Sequence, residues 1–183
     1  MRVDCVIPAA GGSVRMGRWK LLLPFGGSTI IETAVAAALQ CCERVILVTG
    51  HRAAELAERF AREPRVTAVE NEGWERGMFS SIRLGIARVS TERFFVTLGD
   101  MPWITPEVYG DLLECDDGAE VVFPMFGGRR GHPVRFHERV KTAVAAADAV
   151  RGSMRLIAES FRVRDLEWPD DSVIRDIDTP ADL

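Results

Sequence analysis

The chain has 183 residues, 47% of them hydrophobic and 27% charged, which is enough apolar side chain to bury a full core in a single globular domain over residues 1–183. A formal net charge of −4 and a sequence pI near 5.5 argue against non-specific nucleic-acid binding and against a polybasic membrane surface, so an anionic ligand has to be met by a local cluster. No apolar run approaches the roughly 20 residues that span a bilayer, and the four cysteines, which show no CxxC pair, read as reduced core thiols; together these features indicate a cytoplasmic protein.

The first apolar run, "RVDCVIP", predicts a buried strand, and "AAGGSVRMGRWK" (residues 9–20) leaves its carboxyl end. Residues 29–42 predict a helix, with Thr29 and Glu32 as a capping box and Ile31, Ala34, Val35 and Ala38 on one stripe. Strands follow at "RVILVT" and "RVTAVE", then a helix over 78–89 carrying Phe79, Ile82, Ile86 and Val89 on its apolar side. "RFFVTL" predicts the next strand, Thr105-Pro106 the start of the next helix, and "AEVVFP" a fifth strand. Beyond residue 125 the pattern changes to a hairpin-like "GGRRGHPVRF", helices around 138–159, and two strand-like stretches, "FRVRDLEW" and "SVIRDID". Near-continuous apolar strands alternating with amphipathic helices predict an α/β fold with a doubly wound, mostly parallel sheet, whose ligands sit at the carboxyl ends of the strands.

The loop after the first strand is neither of the two familiar phosphate motifs. Arg18 and Trp19 stand before Lys20, and Leu21 follows it, so the Lys-Ser/Thr pair of a P-loop is missing. Gly11 and Gly12 are adjacent rather than separated by one residue, which departs from the dinucleotide fingerprint. What remains is a glycine-rich loop whose N–H groups cradle phosphate, with Arg15 and Lys20 as its charges, or else a tight surface turn with solvated basic residues. Of 23 basic residues only Lys20 and Lys141 are lysine, which hints that a compact ammonium is wanted at position 20.

Asp100, in "VTLGDMPWI", stands past the end of a predicted buried strand, where it is either a Mg²⁺ ligand beside a triphosphate or a turn aspartate. In "ENEGWERGMFSSI", Asn71, Ser80 and Ser81 offer neutral hydrogen-bond groups suited to a base or ribose, or equally to loop and helix-cap duties. Read as a strand, "SVIRDID" puts Asp176 and Asp178 on one face with Ile177 opposite, and Asp178 is also placed to cap a final helix begun by Thr179-Pro180. His51 reads as a loop residue and His137 as an exposed helix start.

Taken in order, "AAGGSVRMGRWKLLLPFGGSTII", "VTGH", "NEGWERGM", "LGDMPWI", "GRRGHPV" and "DIDTPADL" resemble the molybdenum cofactor cytidylyltransferase family, within the MobA-like nucleotidyltransferases, over nearly the whole chain. The resemblance implies a Rossmann-like nucleotidyltransferase fold and Mg²⁺-dependent transfer of CMP from CTP to the terminal phosphate of molybdopterin. The product would pass to a molybdenum hydroxylase as acceptor protein. It also implies that Ala9, Ala10, Gly11, Gly12 and Ser13 meet the nucleotide, that Arg15 and Lys20 meet its phosphates, and that Asn71 and Ser81 line the same site. Asp100 and Asp178 would hold the metal, and Arg129, Arg130 and His132 would face the acceptor. A phosphate oxygen is already anionic at neutral pH, so such a reaction asks for positioning and charge neutralisation rather than a general base. The methyl of Ala10, where related guanylyltransferases have a different loop, favours CTP over GTP. Competing readings are transfer to a sugar phosphate or an isoprenoid alcohol phosphate, a non-catalytic cofactor-delivery protein, and a nicotinamide-dependent oxidoreductase.

Overall fold

Alternation along the first strand sets up the two layers around the sheet. In β1 (Val3–Pro8), Val3, Cys5 and Ile7 pack on one face and Val6 on the other, as expected of a central strand covered on both sides. Asp4 interrupts this apolar run and is 2% exposed. Arg44 donates to its two carboxylate oxygens from Nε (3.1 Å) and Nη2 (2.8 Å), and the Ser90 amide adds a third bond at 2.8 Å. The structure, a computed structural model, describes residues 2–13, 19–115 and 117–182.

After β1 a small antiparallel hairpin, β2 (Pro24–Phe25) and β3 (Ser28–Thr29), leads into α1 (Ile30–Cys41). The expected capping box is present: Thr29 Oγ1 accepts from the Glu32 amide, and the Glu32 carboxylate accepts from the Thr29 amide. The chain continues through β4 (Arg44–Thr49), α2 (Ala53–Arg59), β5 (Val66–Glu70), α3 (Met78–Ile86), β6 (Arg93–Val96) and α4 (Pro106–Glu114). It ends with β7 (Val121–Phe126), β8 (Arg129–Arg130), β9 (Val134–His137), α5 (Val140–Ala146), α6 (Met154–Ala158) and β10 (Val163–Glu167).

The main sheet runs β10-β7-β9-β6-β1-β4-β5, with β8 added to β7. It is parallel except where β9 lies antiparallel between β6 and β7 and where β8 pairs with β7. Residues of α1, α2 and α4, among them Val35, Leu56 and Tyr109, fill one face, while Phe79, Ile82, Val140 and Ala158 from α3, α5 and α6 fill the other. The chain winds outward from β1 through β4 to β5, then returns to lay β6 on the opposite side of β1. The switch point therefore falls at the carboxyl ends of β1 and β6. All four cysteines are free thiols, with Cys5 and Cys42 buried. Among the described residues no helix is long and apolar enough to cross a membrane.

Two sequence expectations need correction. Residues 172–178 do not form a strand: Asp170 caps a 3₁₀ turn at Asp171–Val173 by accepting from the Ser172 amide (2.9 Å), and the rest lies outside any ladder. Their alternation has another cause, since Val173 and Ile177 are both fully buried while the segment is tied down by single bonds. His137 closes β9 rather than starting a helix, and lies 3.4 Å from Glu92.

Candidate functional site

The glycine loop that follows β1 is pinned from both sides. The Ala9 amide donates to the Val48 carbonyl (2.8 Å), and the Ala10 carbonyl accepts from the His51 amide (3.0 Å). At the far end Trp19 Nε1 donates to the Gly11 carbonyl and the Lys20 amide donates to Ser13 Oγ, each at 3.2 Å. A Cβ on Gly11 would meet nothing within 4 Å, so a ligand can approach that backbone; on Gly12 it would sit 3.6 Å from the His51 ring. His51, read as a loop residue, is wedged edge-on between Trp19 and Trp74, with ring centroids 6.0 and 5.8 Å away. Arg15 lies outside the described residues.

Lys20 opens a short 3₁₀ turn, Lys20–Leu22, and its side chain is only 12% exposed. Its Nζ stands 2.7 Å from Asp100 Oδ2 and 2.9 Å from Asp178 Oδ1. Burial works against its charged form, but the hydrogen bonds and charges of Asp100 and Asp178 outweigh it and raise the ammonium pKa above the ordinary lysine value. Asp176 completes the cluster, with one oxygen from each of Asp100, Asp176 and Asp178 all lying within 4.8 Å of one another. Burial and the neighbouring charges of Asp178 and Asp100 raise the Asp176 pKa. Three converging carboxylates make a hard, all-oxygen donor set of the kind that suits Mg²⁺ or Mn²⁺.

The C-terminal aspartates reach this place through two backbone bonds. The Ile177 amide donates to the Asp100 carbonyl (3.0 Å) and the His132 amide to the Val173 carbonyl (2.8 Å). A Cβ at Gly131 would overlap the Val173 carbonyl, so only glycine allows that close crossing. Asp182 Oδ2 ties the final turn, accepting from the amides of Asp178 (3.1 Å) and Thr179 (2.7 Å), while Asp178 Oδ1 faces Lys20.

Around these groups lies a cleft of about 480 Å³, with Ala9, Ala10, Gly11, Ser13 and Ser81 in its walls. Asn71 stands behind the wall. Its Nδ2 donates to Ser80 Oγ and Ser81 Oγ, both at 2.9 Å, and its Oδ1 accepts from the Gly73 amide, so it fixes the start of α3 rather than offering a free edge to a ligand. The sequence reading passed over Trp74, Met78 and Leu98 in the walls, and it left Asp176 without a role although alternation had placed that residue on the Asp178 face.

A second cavity of about 330 Å³ adjoins the first and shares Met78 and Leu98 with it. Phe79, Phe123 and Phe136 make its walls apolar, and His132 supplies a polar group. The His132 Nδ1 lies 3.4 Å from the Val96 carbonyl, and burial pushes the imidazole pKa down, which favours the neutral ring. Arg130 is turned away, bound to Asp165 through Nε (2.7 Å) and Nη2 (3.0 Å) across the Phe123 ring, and Arg129 is exposed on the β7–β8 hairpin. Of the three residues expected to face an acceptor, the structure brings His132 to a cavity wall.

The sequence profile of the MobA-like NTP transferase domain matches residues 5–164. The chain is 36% identical to the molybdenum cofactor cytidylyltransferase of Escherichia coli, over 99% of this chain and 93% of that protein. It is 30% identical to nicotine blue oxidoreductase of Paenarthrobacter nicotinovorans, over 97% of this chain and 92% of that protein. A probable molybdenum cofactor guanylyltransferase of Mycolicibacterium paratuberculosis is 29% identical, over 100% and 94%. Among solved structures, Rv0371c from Mycobacterium tuberculosis superimposes with a TM-score of 0.84 at 26% identity, covering 100% of this chain and 95% of that one. A manganese complex of Rv0371c gives 0.77 at 24% identity, covering 100% and 96%.

Proposed function

Since the chain belongs to the MobA-like NTP transferase family and is a nucleotidyltransferase, we propose that it moves CMP from CTP to the terminal phosphate of a molybdopterin-type acceptor, with Mg²⁺ as its cation and pyrophosphate as its second product. The observation that carries the reading is the meeting of one ammonium and three carboxylates beside an open glycine loop at the switch point of the sheet.

In this reading the backbone around Gly11 receives phosphate oxygens and Lys20 places a point charge on them. Asp100 and Asp178 hold the divalent cation, which when bound neutralises charge on the triphosphate and the departing pyrophosphate. The acceptor phosphate needs no base from the protein, because it is already ionised; the walls hold it in line with the α-phosphate. The second cavity, with three phenylalanines and the neutral His132, takes the flat ring of the acceptor.

Preference for CTP draws on the relatives, 36% identity to a cytidylyltransferase against 29% to a guanylyltransferase. It also draws on the packing beside the loop. A Cβ at Gly50 would come within 2.7 Å of both the Ala10 methyl and Trp74 Cβ, so these two side chains stand close together beside the loop, and the reading takes that wall to suit the smaller pyrimidine. The test is turnover with CTP, GTP, ATP and UTP and molybdopterin, followed by pyrophosphate detection and mass analysis of the dinucleotide, with a sugar phosphate and an isoprenoid alcohol phosphate as rival acceptors. Equal turnover with GTP refutes the base preference, and pyrophosphate release with a rival acceptor alone refutes the acceptor.

A second reading, an oxidoreductase, has the 30% identical nicotine blue oxidoreductase in its favour. It predicts a reduced product and tight binding of a nicotinamide cofactor, with no pyrophosphate formed under any of these conditions.

A further inference from the structure

The carboxylates that this reading gives to a divalent cation are already engaged. Lys20 Nζ bridges Asp100 and Asp178 at 2.7 and 2.9 Å, inside the cluster whose oxygens lie within 4.8 Å of one another. A cation drawn to the same oxygens would stand within a few ångströms of the ammonium, where like charges repel strongly. We infer that Lys20 is an exchangeable counter-ion: it closes the Asp100–Asp178 pair before nucleotide arrives and releases it to the cation as its ammonium passes to the triphosphate. Nucleotide and cation then bind as one coupled event.

The local build suits such an exchange. The Lys20 amide is fixed to Ser13 of the glycine loop, so the backbone stays with the phosphate site while four methylenes carry the ammonium from one anion to another. Lysine, a compact charge on a flexible stem, can do this; the rigid fork of arginine cannot turn so freely. Asp176 leaves a carboxylate beside the pair for the incoming cation to meet first. The inference rests on the nucleotidyl-transfer reading.

Its test is binding of Mn²⁺ to the protein without nucleotide, followed by electron paramagnetic resonance. Lys20→Met should bind Mn²⁺ at least fivefold more tightly than wild type. Arg175→Gln removes a positive charge next to Asp176 whose guanidinium lies 3.8 Å over the Trp103 ring, and it should stay within twofold of wild type. A gain below fivefold in Lys20→Met, or an equal gain in Arg175→Gln, overturns the exchange, the latter by showing a general field effect. A second measurement needs no variant. The chain holds only two lysines, and Lys141 Nζ donates to the Val89 carbonyl at 2.9 Å, so side-chain ¹⁵N labelling gives one signal for Lys20 and one internal reference. Mg²⁺ with CTP should move the Lys20 signal and leave that of Lys141 in place; an unmoved Lys20 signal at saturating Mg²⁺ and CTP overturns the exchange. Should no form of the protein bind Mn²⁺ with or without CTP, the nucleotidyl-transfer reading itself fails.

Discussion

The amide of Ile177 donates to the carbonyl of Asp100 across 3.0 Å, and this bond brings the neighbouring Asp178 to the end of a central strand. With Ile177 buried on one side, Asp178 turns to the other and meets Lys20. Asp178→Asn should therefore abolish most turnover and weaken the rise in melting temperature on addition of Mg²⁺ and CTP, while the melting temperature of the free protein stays within a few degrees, because the final turn is tied by Asp182. A large fall in the stability of the free protein with activity intact would assign Asp178 to structure instead.

Lys20→Ala removes the ammonium but leaves the loop anchored through its amide. Loss of one electrostatic donor from a reacting centre costs on the order of 2–4 kcal/mol of transition-state stabilisation, so kcat/KM for CTP should fall by about 30-fold to 1000-fold. A change below about threefold would make the loop structural.

Gly131→Ala should act at a distance. The added methyl meets the Val173 carbonyl, a backbone atom that cannot swing aside, so the segment carrying Asp176 and Asp178 has to shift. Overpacking of this kind costs about 1–3 kcal/mol. Thermal unfolding should show that loss, and calorimetry should show weaker binding of Mg²⁺ with CTP; unchanged binding would separate the "GRRGHP" turn from the cation site.

Asp4 is a buried charge with a structural task. Asp4→Ala leaves the Ser90 amide without its acceptor and strips Arg44 of its carboxylate partner, leaving it the Arg88 carbonyl and Ser90 Oγ, which should cost about 3 kcal/mol and lower the melting temperature by roughly 6–12 °C. Activity at a permissive temperature should persist, since the pair sits at the opposite end of β1 from the glycine loop.

Glu32 supplies the pH dependence. Hydrogen bonding to Arg59 is the main cause that holds its carboxyl at about 2, with Thr29 and Ser28 adding to it against partial burial. A depressed carboxylate pKa stabilises the fold above the unfolded value near 4.3 and loses that contribution as pH falls through the folded value. Arg59 is 48% exposed, so solvent screening limits the gain to about 1 kcal/mol or less. The difference in melting temperature between wild type and Glu32→Gln should be full at pH 7 and shrink between about pH 4.5 and 2. A difference that is the same at both ends would show that Glu32 acts by packing alone.

The sequence by itself determined the alternating strands and helices, the Thr29–Glu32 capping box and the apolar stripes of α1 and α3. These are local: a capping box lies within four residues, and burial on one face leaves a period in the chain. It also marked the glycine loop, Lys20 and Asp100, because residues of special conformation and charge at a strand end stand out from an apolar background. The tertiary structure decided the rest. Alternation in "SVIRDID" looked like a strand, yet Val173 and Ile177 are buried by two single tethers to distant backbone, and a period of two cannot tell a ladder from such a crossing. Arg129 and Arg130 belong to a motif whose charge pointed to an anion, but Asp165, on a strand that follows two helices later, claims Arg130. Asn71 lost its free edge to Ser80 and Ser81, and one of the two aspartates that close on Lys20, Asp178, comes from the other end of the chain. Side-chain partners of this kind are set by which loops the sheet order brings together, and strand order is a non-local property that local chemistry does not encode.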